Sequence, residues 1–262
     1  MKKSLLDRMN EKNALTRALE AGQGYVEASK NYVKRDAAFA LIACAALFVF
    51  LNVFGILVSF IFTRGQVTEF SYIWNTLIQF LSFVMQVGIV LVMLRLRKQK
   101  ASPLGLGFNV AAVKSLALAV IAGLVATLLF SSRIGGGVVM YGGTLLIMLR
   151  ILQLLFYSFS EELFFRAYVG PRLYGVMRSK VLSILLTGWL FGIAHVVGLF
   201  SAILTTDISP DAPTGVMQLL LISILYIPSH IVYHWLYAKY NNIWGATLLH
   251  AYWNFMMLYL VM

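Results

Sequence analysis

Three short groups of polar and ionisable residues stand inside apolar stretches in the second half of the chain. They are Glu161-Glu162-x-x-x-Arg166, Phe191-x-x-x-His195 and His250-x-x-x-Asn254. Ionisable groups in apolar helices are costly, and they usually face the interior of a bundle or a cavity. These groups are therefore where we expect any chemistry.

The first group offers two carboxylates and one cation. In a helix, Glu162 and Arg166 are four residues apart and can pair on one face, with the acid on the favourable N-terminal side. Glu161 lies about 100° away around the helix and lacks that partner. Such an arrangement lets one carboxylate stay ionised while the other acts as a base. The alternative is a charge cluster at the end of a membrane helix.

The histidines of the other two groups can assist such a base. Phe191 and His195 share one helix face, although a lone histidine there is also compatible with hydrogen bonding in a bundle core. His250 and Asn254 likewise share a face, and both can donate hydrogen bonds towards one point, as an oxyanion site requires. Hydrogen bonding between helices is the alternative for this pair.

A further pair, His230 and His234, lies between the second and third groups. Its four-residue spacing suits metal ligands, but no Glu follows the first His as in the zincin motif. We expect these two histidines, together with Phe191, to line a cavity. A metal site at the pair is the alternative.

The composition indicates which elements must hold these residues. Sixty per cent of the 262 residues are hydrophobic and 12% are charged, whereas soluble domains carry about 25% charged residues. Apolar runs of about 20 residues, long enough for a membrane helix, recur along the chain. We predict an all-α, polytopic transmembrane helical bundle of about seven spans (six to eight). The spans are placed at about residues 37–62, 70–94, 110–131, 138–168, 181–201, 215–238 and 243–262.

The distribution of charge orients this bundle. With the N-terminus inside, the segments on the inner side hold eighteen Lys and Arg residues, whereas the outer loops hold Arg64 and Arg133. This bias follows the positive-inside rule. We therefore expect the +11 net charge to interact with anionic lipid headgroups. We expect no nucleic-acid partner. Residues 1–36 are predicted to form a cytoplasmic or interfacial extension, and residues 37–262 the transmembrane bundle.

The three groups, each in its own apolar helix and in this order, resemble the CAAX-protease and bacteriocin-processing family of intramembrane proteases. The resemblance covers about residues 144–258. It implies a peptidase core open to the cytoplasmic side, in which Glu161 is the catalytic glutamate and His195 helps it to activate water. Glu162 and Arg166 would support Glu161, and His250 and Asn254 would stabilise the oxyanion.

The predicted function is therefore intramembrane peptide-bond hydrolysis in a multi-pass protein, which we expect to reside in the bacterial plasma membrane. The substrate would be a membrane-associated, prenylated or leader peptide reached from the membrane or the cytoplasm. The favoured mechanism requires no cofactor, and the alternative is a zinc-dependent version with Glu161, His195 and His250 as ligands. A catalytically silent scaffold or bacteriocin-immunity protein, and a small proton-coupled transporter, are the competing classes.

Overall fold

A computed structural model describes residues 20–62, 70–130, 144–205 and 212–259. In these ranges the regular structure is helical throughout, which confirms the all-α prediction. We number the α-helices in chain order. They are α1 (Gln23–Lys30), α2 (Lys34–Phe62), α3 (Phe70–Leu96), α4 (Val110–Phe130), α5 (Thr144–Glu161), α6 (Gly170–Val176), α7 (Lys180–Thr205), α8 (Ala212–Ile224), α9 (Ile227–Tyr240) and α10 (Ile243–Tyr259).

Five stretches of the described residues are helical, long and apolar enough to cross a membrane. They are Lys34–Phe54, Gln79–Leu96, Val110–Leu129, Lys180–Val197 and Met217–Tyr240. The outer surface agrees with a lipid environment: Leu128 and Leu129 are 73% and 72% exposed, whereas Glu162 and Arg166 are fully buried. The count of seven spans stays a prediction.

The sixth predicted span, residues 215–238, coincides with the candidate span Met217–Tyr240, which consists of two successive helices. The chain turns at Leu225 and Tyr226, between α8 and α9. Pro228 stands in the first turn of α9. Proline lacks an N–H group and its ring clashes with the carbonyl four residues earlier, so it is tolerated at a helix start and not in a helix interior.

The helix that carries Glu161 changes its winding along its length. Proline usually ends or kinks a helix, but the chain continues from α5 through a π-helix, Glu162–Val169, directly into α6, which contains Pro171. The Gly170 N–H donates to the Phe165 carbonyl, five residues earlier. This wider winding admits the proline, because the first turn of α6 does not require the N–H group that Pro171 lacks.

A polar network joins α2, the residues that follow α3, and α6 at one end of the bundle. Asp36 Oδ1 accepts hydrogen bonds from Arg97 Nε at 2.9 Å and from Gln99 Nε2 at 2.8 Å. Arg172 Nη2 in turn donates to Gln99 Oε1 at 2.6 Å. Burial lowers the pKa of the Arg172 guanidinium from its ordinary value. The network fixes the start of α6 against the helices that surround it.

The other described segments that the charge count assigns to the inner side lie at the same end of the bundle. Gly22, just before α1, donates its N–H to the Ala238 carbonyl of α9 at 3.0 Å, and Ile243 N–H donates to the Gly105 carbonyl at 3.1 Å. The segments assigned to one side by their charge therefore meet at one end of the bundle. That this end faces the cytoplasm stays a prediction. Residues 1–19 of the predicted extension, and the loop residues Arg64 and Arg133, lie outside the described residues.

Candidate active site

Three elements bring the predicted site residues together in the interior. The junction of α5 with the π-helix supplies Glu161 and Glu162, α7 supplies His195, and α10 supplies His250. Both carboxylates and His250 are buried, whereas His195 keeps 18% of its side chain exposed. The accessible side of the cluster is therefore the side of His195.

Glu161 lies between two imidazoles. Its Oε1 atom is 3.8 Å from His195 Nε2, and its Oε2 atom is 3.4 Å from His250 Nε2. These separations are longer than a strong hydrogen bond, for which 2.7–2.9 Å is typical of a charged pair. The carboxylate is thus held near both rings without a tight bond to either.

The hydrogen bond of His195 on its other side assigns a proton. Its Nδ1 atom is 3.0 Å from the Phe191 carbonyl oxygen. A carbonyl can only accept, so Nδ1 carries hydrogen, and in the neutral ring Nε2 is then an acceptor. His195 Nε2 and Glu161 Oε1 are in that state two acceptors that face each other.

His250 bridges the two carboxylates. Its Nδ1 atom is 2.8 Å from Glu162 Oε1, while its Nε2 atom faces Glu161. An ionised carboxylate only accepts hydrogen bonds, so Nδ1 donates to Glu162. The strong contact fixes the ring, and the weaker contact leaves Nε2 available for exchange with another partner.

Arg166 balances Glu162 from within the π-helix, as the four-residue spacing predicts. Its Nη1 atom is 3.2 Å from Glu162 Oε1, and both side chains are fully buried. The guanidinium carbon also lies 4.0 Å from the ring centroid of Phe191. Removal of either member of a buried ion pair leaves an uncompensated charge, which is costly.

Asn254 lies one turn beyond His250 on α10 and is half-buried. Its Nδ2 atom donates to Ser158 Oγ at 3.4 Å, a long hydrogen bond that links α10 to α5. An amide nitrogen has two hydrogens, so one remains for a further acceptor. Ser158 precedes Glu162 by one helical turn, which places the amide beside the carboxylate helix.

The donor set also fits a metal ion. One oxygen of Glu161, one nitrogen of His195 and one nitrogen of His250 lie within 4.8 Å of one another. Metal-bound histidines usually donate their second ring N–H to a carbonyl or a carboxylate. Phe191 and Glu162 provide these two outer acceptors.

His230 and His234 lie in the packed interior next to this cluster. Both are fully buried, and the ring centroid of His230 is 6.0 Å from that of Phe191. They are absent from the metal-compatible group formed by the described residues. Their predicted role in lining a substrate cavity stays a prediction.

Sequence reasoning missed three tyrosines that contact the site. Tyr233 stacks on His250 with ring centroids 4.6 Å apart, and Tyr226 lies against His195 at 4.4 Å. Tyr157 lies close enough to Glu161 for the carboxylate to act electrostatically on its hydroxyl group. Only the last could have been found from spacing, since Tyr157 precedes Glu161 by four residues. The other two contacts join residues of different elements, far apart in the chain.

Fold and site together describe an integral membrane protein that gathers glutamate and histidine inside a helical bundle. Residues 143–256 match a family model described as type II CAAX prenyl endopeptidase Rce1-like. This match contains all three motifs and confirms the resemblance, and it supports a CAAX-type intramembrane endopeptidase. No curated protein and no solved structure matches the chain.

Proposed function

We propose that this protein is an intramembrane endopeptidase that hydrolyses a peptide bond of a membrane-associated, prenylated or leader peptide. The observation that carries the proposal is the position of Glu161, a buried carboxylate 3.8 Å from His195 and 3.4 Å from His250. Its setting is the bacterial plasma membrane, with anionic lipid headgroups around the basic end of the bundle. The active site opens to the cytoplasmic side.

In this proposal Glu161 and His195 activate water. A water molecule that approaches from the exposed side of His195 can donate one hydrogen to Glu161 Oε1 and the other to His195 Nε2. Its lone pair then points away from both acceptors and towards the peptide carbonyl. Glu161 takes the proton as the oxygen attacks, and later gives it to the leaving amine.

Asn254 and His250 stabilise the oxyanion. The second N–H of the Asn254 amide is available beyond its bond to Ser158. His250 in its protonated form has an Nε2 hydrogen whose contact with Glu161 is weak at 3.4 Å. Once Glu161 accepts the proton from water, it attracts that hydrogen less, and the fixed Nε2–H can donate to the developing oxyanion. Glu162 and Arg166 hold the His250 ring and the local charge throughout.

The second candidate is a zinc-dependent peptidase that uses the same residues. The convergence of Glu161, His195 and His250 within 4.8 Å favours it. These side chains would hold the ion, and zinc would lower the pKa of a bound water and polarise the carbonyl. Asn254 keeps the oxyanion role in both candidates.

Peptide cleavage by the purified full-length protein in detergent or nanodiscs tests the function. The substrates are prenylated C-terminal peptides, leader peptides and transmembrane segments. We expect Glu161→Gln to lower the rate by at least about 10²-fold, the usual contribution of a positioned base. The matched control is Glu27→Gln, on the exposed face of α1. This variant should cleave the substrates at the wild-type rate. Equal rates for all three proteins would contradict the assignment of Glu161.

Chelation separates the two candidates. Wild-type cleavage after exhaustive chelation, in protein shown by elemental analysis to lack metal, identifies the metal-free mechanism. Loss of cleavage that zinc restores identifies the metal-dependent one. Zinc content that falls in both His195→Ala and His250→Ala, and stays in His230→Ala, would assign the ligands without reference to activity.

A further inference from the structure

Four buried ring nitrogens of His230 and His234 have no role in the proposed hydrolysis. The two side chains are one helical turn apart on α9 and are 0% and 1% exposed. None of their nitrogens has a hydrogen-bond partner in the described part of the chain. The rings lie almost parallel with centroids 5.7 Å apart, a stacked geometry that does not join them by a hydrogen bond.

Close packing holds both rings in place. A Cβ atom at Gly188 of α7 would lie only 3.0 Å from His230 Cδ2, so the ring fills the space beside that glycine. His234 Nδ1 would lie 3.8 Å from a Cβ atom at Gly170. The rings are therefore enclosed by the bundle, and neither can turn its polar atoms to the solvent.

Such an arrangement is unfavourable unless a partner is present. A neutral imidazole has one donor and one acceptor nitrogen. A polar atom that is buried without a hydrogen bond loses its hydrogen bonds to water and gains none in the protein. Apolar side chains of similar shape would be more stable at both positions if the interior there were dry.

The surrounding charges narrow the identity of that partner. Arg166 is close enough for its charge to act on both histidines, which disfavours a bound cation. Two carboxyl groups, Glu161 and Glu162, already face this single guanidinium, which disfavours a further anion. A small neutral molecule that both donates and accepts hydrogen bonds satisfies the rings, and water has these properties.

We propose that His230 and His234 form a buried water-binding site behind Arg166. The bound water donates to one ring nitrogen and accepts from another. It also reaches the guanidinium, whose Nε, Nη1 and Nη2 atoms have no hydrogen-bond partner among the described residues apart from the ionic contact with Glu162. Buried waters usually make about three such bonds. Such a site would hydrate the core whether or not the protein is a peptidase.

Paired substitutions in the full-length protein test it by the sign of a stability difference. We expect His234→Leu to lower the unfolding temperature by several degrees relative to His234→Gln, because glutamine retains a donor and an acceptor for the water. The same order is expected for His230→Leu and His230→Gln. Leucine variants that are as stable as the glutamine variants, or more stable, would show a dry interior and overturn the proposal.

Leu236 is the matched control, since it is a buried apolar position on the same helix, two residues after His234. Leu236→Gln should lower the unfolding temperature below that of wild type, which shows that glutamine is penalised at a dry position of α9. If the histidine variants do not fold, an experimental structure of the wild-type protein decides. Ordered water bonded to at least two of the four nitrogens supports the proposal, whereas a metal ion or dry contact refutes it.

Discussion

Tyr233 lies flat against the imidazole of His250, with 4.6 Å between the ring centroids and 18° between the ring planes. The tyrosine belongs to α9 and the histidine to α10, so the stack joins two neighbouring helices. The guanidinium carbon of Arg166 also lies near Tyr233, 5.2 Å from its ring centroid. Tyr233 therefore contacts both Arg166 of the π-helix and the His250 ring that bridges the two carboxylates.

We expect Tyr233→Leu to lower kcat by about 10²-fold with little change in KM, because a small displacement of a reacting group has an effect of that size. Tyr233→Phe keeps the stack and should restore most of kcat. Steady-state cleavage kinetics measure both. A phenylalanine variant as slow as the leucine variant would assign the effect to the hydroxyl group and contradict a positioning role for the ring.

The buried pair of Glu162 and Arg166 predicts strong coupling. Glu162→Gln should reduce the free energy of unfolding by about 3–5 kcal/mol, because it leaves the guanidinium buried without its counter-charge. Arg166→Met should reduce the free energy of unfolding by a similar amount. The double variant is expected to be more stable than the sum of the two losses implies, because no uncompensated charge remains.

Thermal and denaturant unfolding of the four proteins in one detergent measures this coupling. Strict additivity would show that the two side chains do not interact in the folded protein. Lys30→Met, which removes a charge from the exposed end of α1, serves as the control with little expected change.

Asn254 provides a prediction on the reaction itself. Asn254→Ala should lower kcat by about 10²–10³-fold, the usual effect of removing one oxyanion donor, and should leave KM nearly unchanged. Ser158→Ala should have a smaller effect, since it removes only the 3.4 Å contact that orients the amide. Cleavage kinetics distinguish the two roles. An Asn254→Ala protein with normal kcat would exclude this side chain from the oxyanion site.

Substitution by alanine should have different effects on stability at two glycines, of which only Gly175 packs against α1. A Cβ atom at Gly175 of α6 would collide with the Ser29 carbonyl, so Gly175→Ala should displace α1 and lower the unfolding temperature. Gly88 of α3 has no atom within 4 Å of the corresponding point. Gly88→Ala should therefore leave stability unchanged or slightly higher, because alanine favours the helix.

Limited proteolysis in addition to thermal unfolding tests this docking. Cleavage near α1 is expected to be faster in the Gly175 variant than in wild type or in the Gly88 variant. Equal rates in the three proteins would show that the contact with Ser29 does not hold α1 in place.

The sequence was sufficient for the features that depend on one helix at a time. Hydropathy placed the starts of α2, α4 and α7 within a few residues, because the length of an apolar run is fixed by the membrane that it must cross. The contact between Glu162 and Arg166 also followed, since spacing alone determines which residues share a turn.

Features that depend on how helices meet could not be predicted in this way. Periodicity gives the face of a helix but not the neighbour on that face, so the stacking of Tyr233 on His250 was missed. The π-helix was missed for a related reason. Its winding lets Pro171 follow without a break, and a prediction based on the α-helical repeat has no means of anticipating it.

The hydrogen bond from Gly22 to the Ala238 carbonyl has a consequence for the order of assembly. During synthesis the N-terminal part of a chain emerges first, yet the acceptor for Gly22 belongs to α9, which is synthesised after α2 to α8. A ribosome must therefore synthesise α2 to α9 before α1 can find its binding surface. Among the helices of the described residues, α1 is made first, yet it can reach its final place only after α9 has been made.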